Sequence, residues 1–155
     1  FNQKMCYYKF NLYQKDYNWT GSRGCKKKNL LSPQWIRDIK PRKYSKWRLD
    51  TYFSKHKYSN IILVDNGGWH FSYLNTPDLI EQKLKSYTHH REYDLNPLGI
   101  ENIEERIKNR ISVYNLSLDK RENQYSEGVK LEIMNNKDLP SFIYQNLNKY
   151  EKWLA

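Results

Sequence analysis

The residues best suited to chemistry fall in two short stretches. The first is Asp65-Asn66-Gly67-Gly68-Trp69-His70-Phe71-Ser72-Tyr73-Leu74. Imidazole is a good ligand for a transition-type divalent ion, and glycines let a backbone come close to phosphate groups. His70, just after Gly67 and Gly68, therefore suits a place where metal and phosphate meet. The competing reading is a satisfied histidine packed beside Trp69. The second stretch is His89-His90-Arg91-Glu92-Tyr93-Asp94. A histidine close to a carboxylate can place or deprotonate a hydroxyl, but basic groups at a helix end also meet the helix dipole. Asp65 is another candidate base, although an Asp in Asp-Asn-Gly-Gly also serves the turn. Arg23, Lys26, Lys27 and Lys28 offer cations to a diphosphate or an acidic acceptor, or are simply solvated.

These residues need elements to position them. Ile61-Ile62-Leu63-Val64 is the only dense β-branched run and reads as a central buried strand. It ends in the turn formers of residues 65–68. If a strand continues past them, alternation separates Trp69, Phe71 and Tyr73 on one face from His70 and Ser72 on the other. Pro77 opens a helix with Leu79, Ile80, Lys83, Leu84 and Tyr87 at helical spacing, and His89, His90 and Glu92 sit at its end.

The flanking sequence fills in a layered fold. Residues 5–13 suit a half-buried strand. Ser32-Pro33 opens a short helix whose apolar side is Trp35, Ile36 and Ile39. Residues 41–60 read as a polar, aromatic loop. Ile100, Ile103, Ile107 and Ile111 mark a helix, residues 115–128 a loop and residues 129–133 a short strand. Pro140 begins a last helix with Phe142, Ile143, Leu147, Tyr150 and Leu154 on one side. Strands mixed with helices predict an α/β or α+β layer fold in one domain spanning residues 1–155.

Composition narrows the class. The 155 residues are 38% apolar, below the usual globular share, but 14 Tyr and 5 Trp supply large rings to bury. That favours a folded domain despite a mean hydropathy of -1.01. The net charge of +10 favours acidic partners or reflects Lys-rich composition with solvated side chains. Cys6 and Cys25 are too far apart for a local metal knuckle and read as two buried free thiols. No apolar run approaches a membrane span, and no signal peptide is visible. The start at Phe1 reads as a processed chain or a fragment. Asn18-Trp19-Thr20 and Asn115-Leu116-Ser117 are sequons that matter only in a secretory host.

The succession of segments resembles family-17 glycosyltransferases, a family of N-acetylglucosaminyltransferases. Its signature, Gly-Gly-Trp-His-Phe-Ser-Tyr-Leu before a helix ending in Ser-Phe-x-His-x-Glu-Phe/Tyr, is similar to residues 67–74 and 86–93. Asn18 to Arg23 and Leu31-Ser32-Pro33-Gln34 look like family segments upstream, and Leu139-Pro140-Ser141-Phe142-Ile143 like the family's tail. The likeness is specific over residues 5–94 and looser afterwards. This chain has Asn75-Thr76 where the family has Gly, a place where Asn can take the left-handed backbone. One extra residue leaves either His89 or His90 as the family His.

The resemblance implies the C-terminal part of a GT-A-like domain, a mixed sheet flanked by helices. It implies inverting transfer of N-acetylglucosamine from a UDP-sugar to a glycan acceptor. A divalent metal, Mn or Mg, would be held in part by His70. Gly67, Gly68 and Arg23 would lie near the donor diphosphate, with His89, His90, Glu92 and Asp65 as candidates for acceptor activation. Such a parent is cytoplasmic if microbial or viral, and lumenal in the Golgi if eukaryotic with an upstream anchor. The family's Asp-x-Asp does not occur in these residues, so this polypeptide alone is expected to be inactive. A basic aromatic RNA- or single-strand-binding module and a non-catalytic remnant are the alternatives. No RNP-like, zinc-knuckle or Gly-x-x-Gly pattern supports the former, so no nucleic-acid partner is expected.

Overall fold

Two strands, β1 (Gln3–Tyr7) and β2 (Leu12–Trp19), form in place of the single strand expected over residues 5–13. Tyr8 adopts φ 62° and Lys9 N donates to Tyr7 O at 2.6 Å, so the chain reverses within a few residues. The computed structural model describes residues 1–86, 93–118 and 123–155. With β3 (Trp69–Ser72) and β4 (Glu132–Ile133), the two strands make a mixed four-stranded sheet of order β3-β1-β2-β4. β4 runs antiparallel to β2, pairing Leu12 with Ile133 and Tyr13 with Glu132. β3 runs parallel to β1: Lys4 N donates to Gly68 O at 2.9 Å and Tyr8 N to Ser72 O at 3.1 Å, four residues further along both strands. The helices are α1 (Pro33–Asp38), α2 (Asp50–Phe53), α3 (Pro77–Ser86), α4 (Ile100–Lys108) and α5 (Ser141–Tyr144).

The run Ile61-Ile62-Leu63-Val64 corrects the reading of a buried central strand. It has no regular secondary structure, and Ile62 is 84% exposed. The physical reason is register. Asn2 N donates to Val64 O at 2.9 Å, so the run meets the start of β1 only at its last residue. β-branched side chains favour a strand only where neighbours cover the pleat.

The chain divides into two compact units. The first comprises Phe1–Lys4 with Asn18–Gly68. Here Ser32 caps α1 as the sequence predicts, its Oγ accepting from Trp35 N at 3.0 Å. Trp35 is anchored by Nε1 donating to Lys55 O at 2.8 Å. The stretch read as a loop contains α2, whose Asp50 accepts from Arg48 and Lys57 at 2.8 and 2.7 Å. Both cations, with Arg42, surround the buried Tyr44 ring. Cys25, read as a buried thiol, is exposed. Its neighbours in sequence, Gly24 and Lys26 to Lys28, are exposed with it, and only Cys6 is buried.

The second unit comprises Met5–Tyr17 with Trp69–Ala155. α3 packs against α4, burying Ile80, Leu84 and Ile103. A core of Cys6, Met134, Leu139 and Ile143 takes Trp69, Phe71, Phe10 and Tyr150 against it. On the other side of β1, Tyr7 meets Tyr8, Tyr73 and Tyr114, and Tyr114 meets Tyr125. The single last helix expected from Pro140 is instead α5 followed by a 3-10 segment, Leu147–Trp153. Between them Asn146 leaves helical geometry and its Nδ2 donates to Phe142 O at 2.7 Å, a side-chain bond that competes with the helix ladder.

Candidate functional site

The turn formers of residues 65–68 make a bulge in a strand-like path. Val64 O and Gly68 O, four residues apart, accept from Asn2 N and Lys4 N, two residues apart. The surplus residues loop out, with Asn66 at φ 52° and Gly68 at φ 109°, a conformation that favours glycine. Within this first unit the Asp65 carboxylate accepts from Asn2 Nδ2 at 2.6 Å. A Cβ on Gly67 would lie 2.7 Å from Phe1 Cβ, so this glycine lets Phe1 approach closely. Arg23 donates through Nη1 to Arg37 O, and its Nε is enclosed with no partner among the described residues.

His70 stands on β3 in the second unit. Alternation holds for its neighbours: Trp69 and Phe71 pack on the Cys6–Met134 core, and the Trp69 indole donates to Asp138 O at 3.0 Å. Tyr73 departs from the pattern. It takes φ 55° and stacks on Tyr7 with ring centroids 6.5 Å apart, away from the Trp69–Phe71 cluster. The left-handed position expected at Asn75 is therefore Tyr73, with Asn75 N donating back to Tyr73 O at 2.8 Å. His70 is half-buried. Burial first, then the nearby Lys83 ammonium, hold its imidazole below the usual histidine range. The ring is thus neutral near pH 7, the form that ligates metals.

Lys83 is a residue that sequence reasoning placed on the apolar stripe of α3 without assigning it a role. Its ammonium lies 4.6 Å from the Tyr73 ring centroid and acts electrostatically on His70. A charged residue inside an apolar stripe was the available signal. A second unforeseen feature is Glu81, buried on α3, which accepts from the Tyr93 hydroxyl and pairs with Lys85 at 2.9 Å. Tyr93, the last aromatic of the signature-like segment, is thereby fixed beneath α3. His89, His90 and Glu92 lie outside the described residues.

Two cavities open in this unit. One, of about 370 Å³, is lined by Asn96, Leu98, Asn102, Glu105, Arg106 and Tyr125 among others. The other, of about 320 Å³, lies where the β1–β2 turn, the start of α3, the end of α4 and the C-terminal segment meet. His70 lines neither. Among the described residues no three His, Cys, Asp or Glu side chains gather as a metal site. His70 therefore fits a metal only as one ligand of a set completed elsewhere.

Comparison with protein-family models, curated proteins and solved structures returned no match. Among the described residues no helix is long and apolar enough to cross a membrane.

Proposed function

We propose that this chain is the C-terminal portion of a GT-A-type N-acetylglucosaminyltransferase resembling family 17, which transfers the sugar with inversion from a UDP donor to a glycan acceptor. His70 carries the reading. It is a neutral, half-buried imidazole on a strand, segregated from the Trp69–Phe71 core face, within the stretch most similar to the family signature.

A divalent metal bound there would neutralise charge on the departing diphosphate. His70 would be one ligand, and the required carboxylates would come from an Asp-x-Asp segment outside these residues. Lys83 would offer a cation to the same phosphates. Asp65 is engaged by Asn2, which leaves His89, His90 or Glu92 as the better candidates to take the acceptor proton. The exposed Ile62 side chain and the partly exposed Leu63 and Val64 are consistent with apolar surface covered by the missing half.

Labelled chain with Mn2+ and UDP tests the metal role. The His70 ring resonances should broaden more than those of His56, and His70→Ala should weaken Mn2+ binding without altering thermal unfolding. Equal broadening of both histidines would remove the metal role. Incubation with UDP-N-acetylglucosamine, metal and acceptor should yield little turnover from this chain alone. Robust acceptor-dependent transfer would overturn the half-domain reading.

A further inference from the structure

The smaller cavity draws on four separate stretches of the chain: Tyr8 and Lys9, Asn75 to Pro77, Glu104 with Ile107 and Lys108, and Lys152 with Trp153. Its surface is mainly apolar, yet basic side chains gather around it. Lys9, Lys108 and Lys152 all line it, and among the described residues none forms an ion pair. Lys9 Nζ donates to the Lys152 backbone carbonyl at 2.5 Å, which holds the Lys9 side chain against the segment that carries Lys152. Lys152 Nζ lies 5.6 Å from the Trp153 ring centroid. Like charges gathered around a cavity repel one another, and a bound anion removes that repulsion.

The remaining walls say what kind of anion. Trp153 is half-buried and, with Pro77 and Ile107, forms an apolar side. An indole face of this kind takes the apolar side of a ring. Glu104 is a poor neighbour for a bare phosphate, but its carboxylate accepts hydrogen bonds from hydroxyl groups, as does the Asn75 amide oxygen. Ammonium groups for a negative charge, an aromatic wall for a ring and acceptors for hydroxyls together match a sugar bearing a phosphate or carboxylate.

We propose that this cavity is a binding site for an anionic sugar of one or two rings, held by Lys9, Lys108 and Lys152 at its charged group and by Trp153 at its ring. The site stands on its own residues and does not depend on the glycosyltransferase reading.

Calorimetric titration of the chain at low salt tests it, using glucose 6-phosphate, glucuronate, glucose and inorganic phosphate as probes. One or both anionic sugars should bind, with a shift of the Trp153 indole resonance, and raised salt should weaken binding. Glucose should bind at least about tenfold more weakly than the anionic sugar. The exposed pair Lys108→Ala/Lys152→Ala should weaken anionic-sugar binding by about tenfold or more while the circular-dichroism spectrum stays unchanged. The proposal is overturned if neither anionic sugar binds, if inorganic phosphate binds as tightly as the ester, or if the double variant binds like the parent chain. A failure of Mn2+ to act on His70 would leave these outcomes untouched.

Discussion

Asn11 and Ala155 hold each other by a reciprocal pair of hydrogen bonds: Ala155 N donates to Asn11 Oδ1 at 2.7 Å, and Asn11 Nδ2 donates to Ala155 O at 3.4 Å. Asn11 is buried in the β1–β2 turn, and Phe10 N beside it donates to Trp153 O at 2.8 Å. One turn therefore holds the segment that carries Lys152 and Trp153.

Asn11→Ala should free that segment. The buried methyl leaves the Ala155 amide and Asn136 Oδ1 without their partner, at a cost of about 1–3 kcal/mol. Denaturant unfolding should show that loss, and amide exchange should accelerate at residues 153–155. Unchanged exchange there would mean that Trp153 and Leu154 packing alone fixes the segment.

Alkaline pH should unfold the second unit steeply. Tyr7, Tyr8 and Tyr93 have almost no exposed surface. Burial is the main cause that pushes each phenol well above its ordinary range; Tyr114 adds to it at Tyr7 and the Glu81 carboxylate at Tyr93. Phenols of the unfolded chain ionise near pH 10, roughly, so above that pH the unfolded state sheds protons that the folded state retains. Stability is thus intact below this range and falls above it. With all three groups the slope approaches roughly 4 kcal/mol per pH unit. Tyrosinate absorbance followed alongside ellipticity checks this. Ionisation of these three phenols before loss of ellipticity would contradict it.

Arg106→Lys should loosen the loop after α4. The guanidinium donates through Nη1 to Val113 O at 2.7 Å and Ser112 O at 3.3 Å, and through Nη2 to Tyr125 O at 2.8 Å and Ser126 O at 3.3 Å. A lysine keeps the charge but cannot reproduce the planar fork. A loss of about 2–3 kcal/mol is expected from the stranded carbonyls, with faster amide exchange in residues 112–118 and 123–129. Wild-type stability in the Lys variant would show that charge alone suffices.

His70 should titrate below the ordinary histidine range because burial, then Lys83, disfavours the imidazolium. Lys83→Ala should move the midpoint partway back up. The sign for stability follows. Above the unfolded value, near pH 6.5 as a rough reference, both states are neutral. As pH falls below it the unfolded chain protonates first, and the contribution is lost. Ring chemical shifts followed through the acid range measure the midpoint, and a value at or above the ordinary one would remove the electrostatic role of Lys83.

Features set by neighbours in sequence were legible from the sequence alone. Ser32 before Pro33 marked the start of α1, because a cap acts within one turn. Pro77 marked α3, and Ile100, Ile103 and Ile107 marked α4, since helical periodicity records a buried face; Ile111, expected on the same helix, lies past its end and bridges Lys130 instead. Trp69 and Phe71 were separable from His70 by strand alternation.

Tertiary structure decided the rest. The run at residues 61–64 has strand composition, yet its exposure depends on which chain lies alongside, and register is a property of the pair. Tyr73 left its expected face because one left-handed residue redirected it onto Tyr7. Lys83 and His70, the Tyr125 and Ser126 carbonyls at Arg106, and Lys9 and Lys108 in the cavity with Lys152 and Trp153 come from separate stretches. By itself the sequence determined where α1, α3 and α4 form and which residue types can do chemistry, because both are local. Only the tertiary structure decided which charges share a cavity, because that depends on how the chain returns on itself.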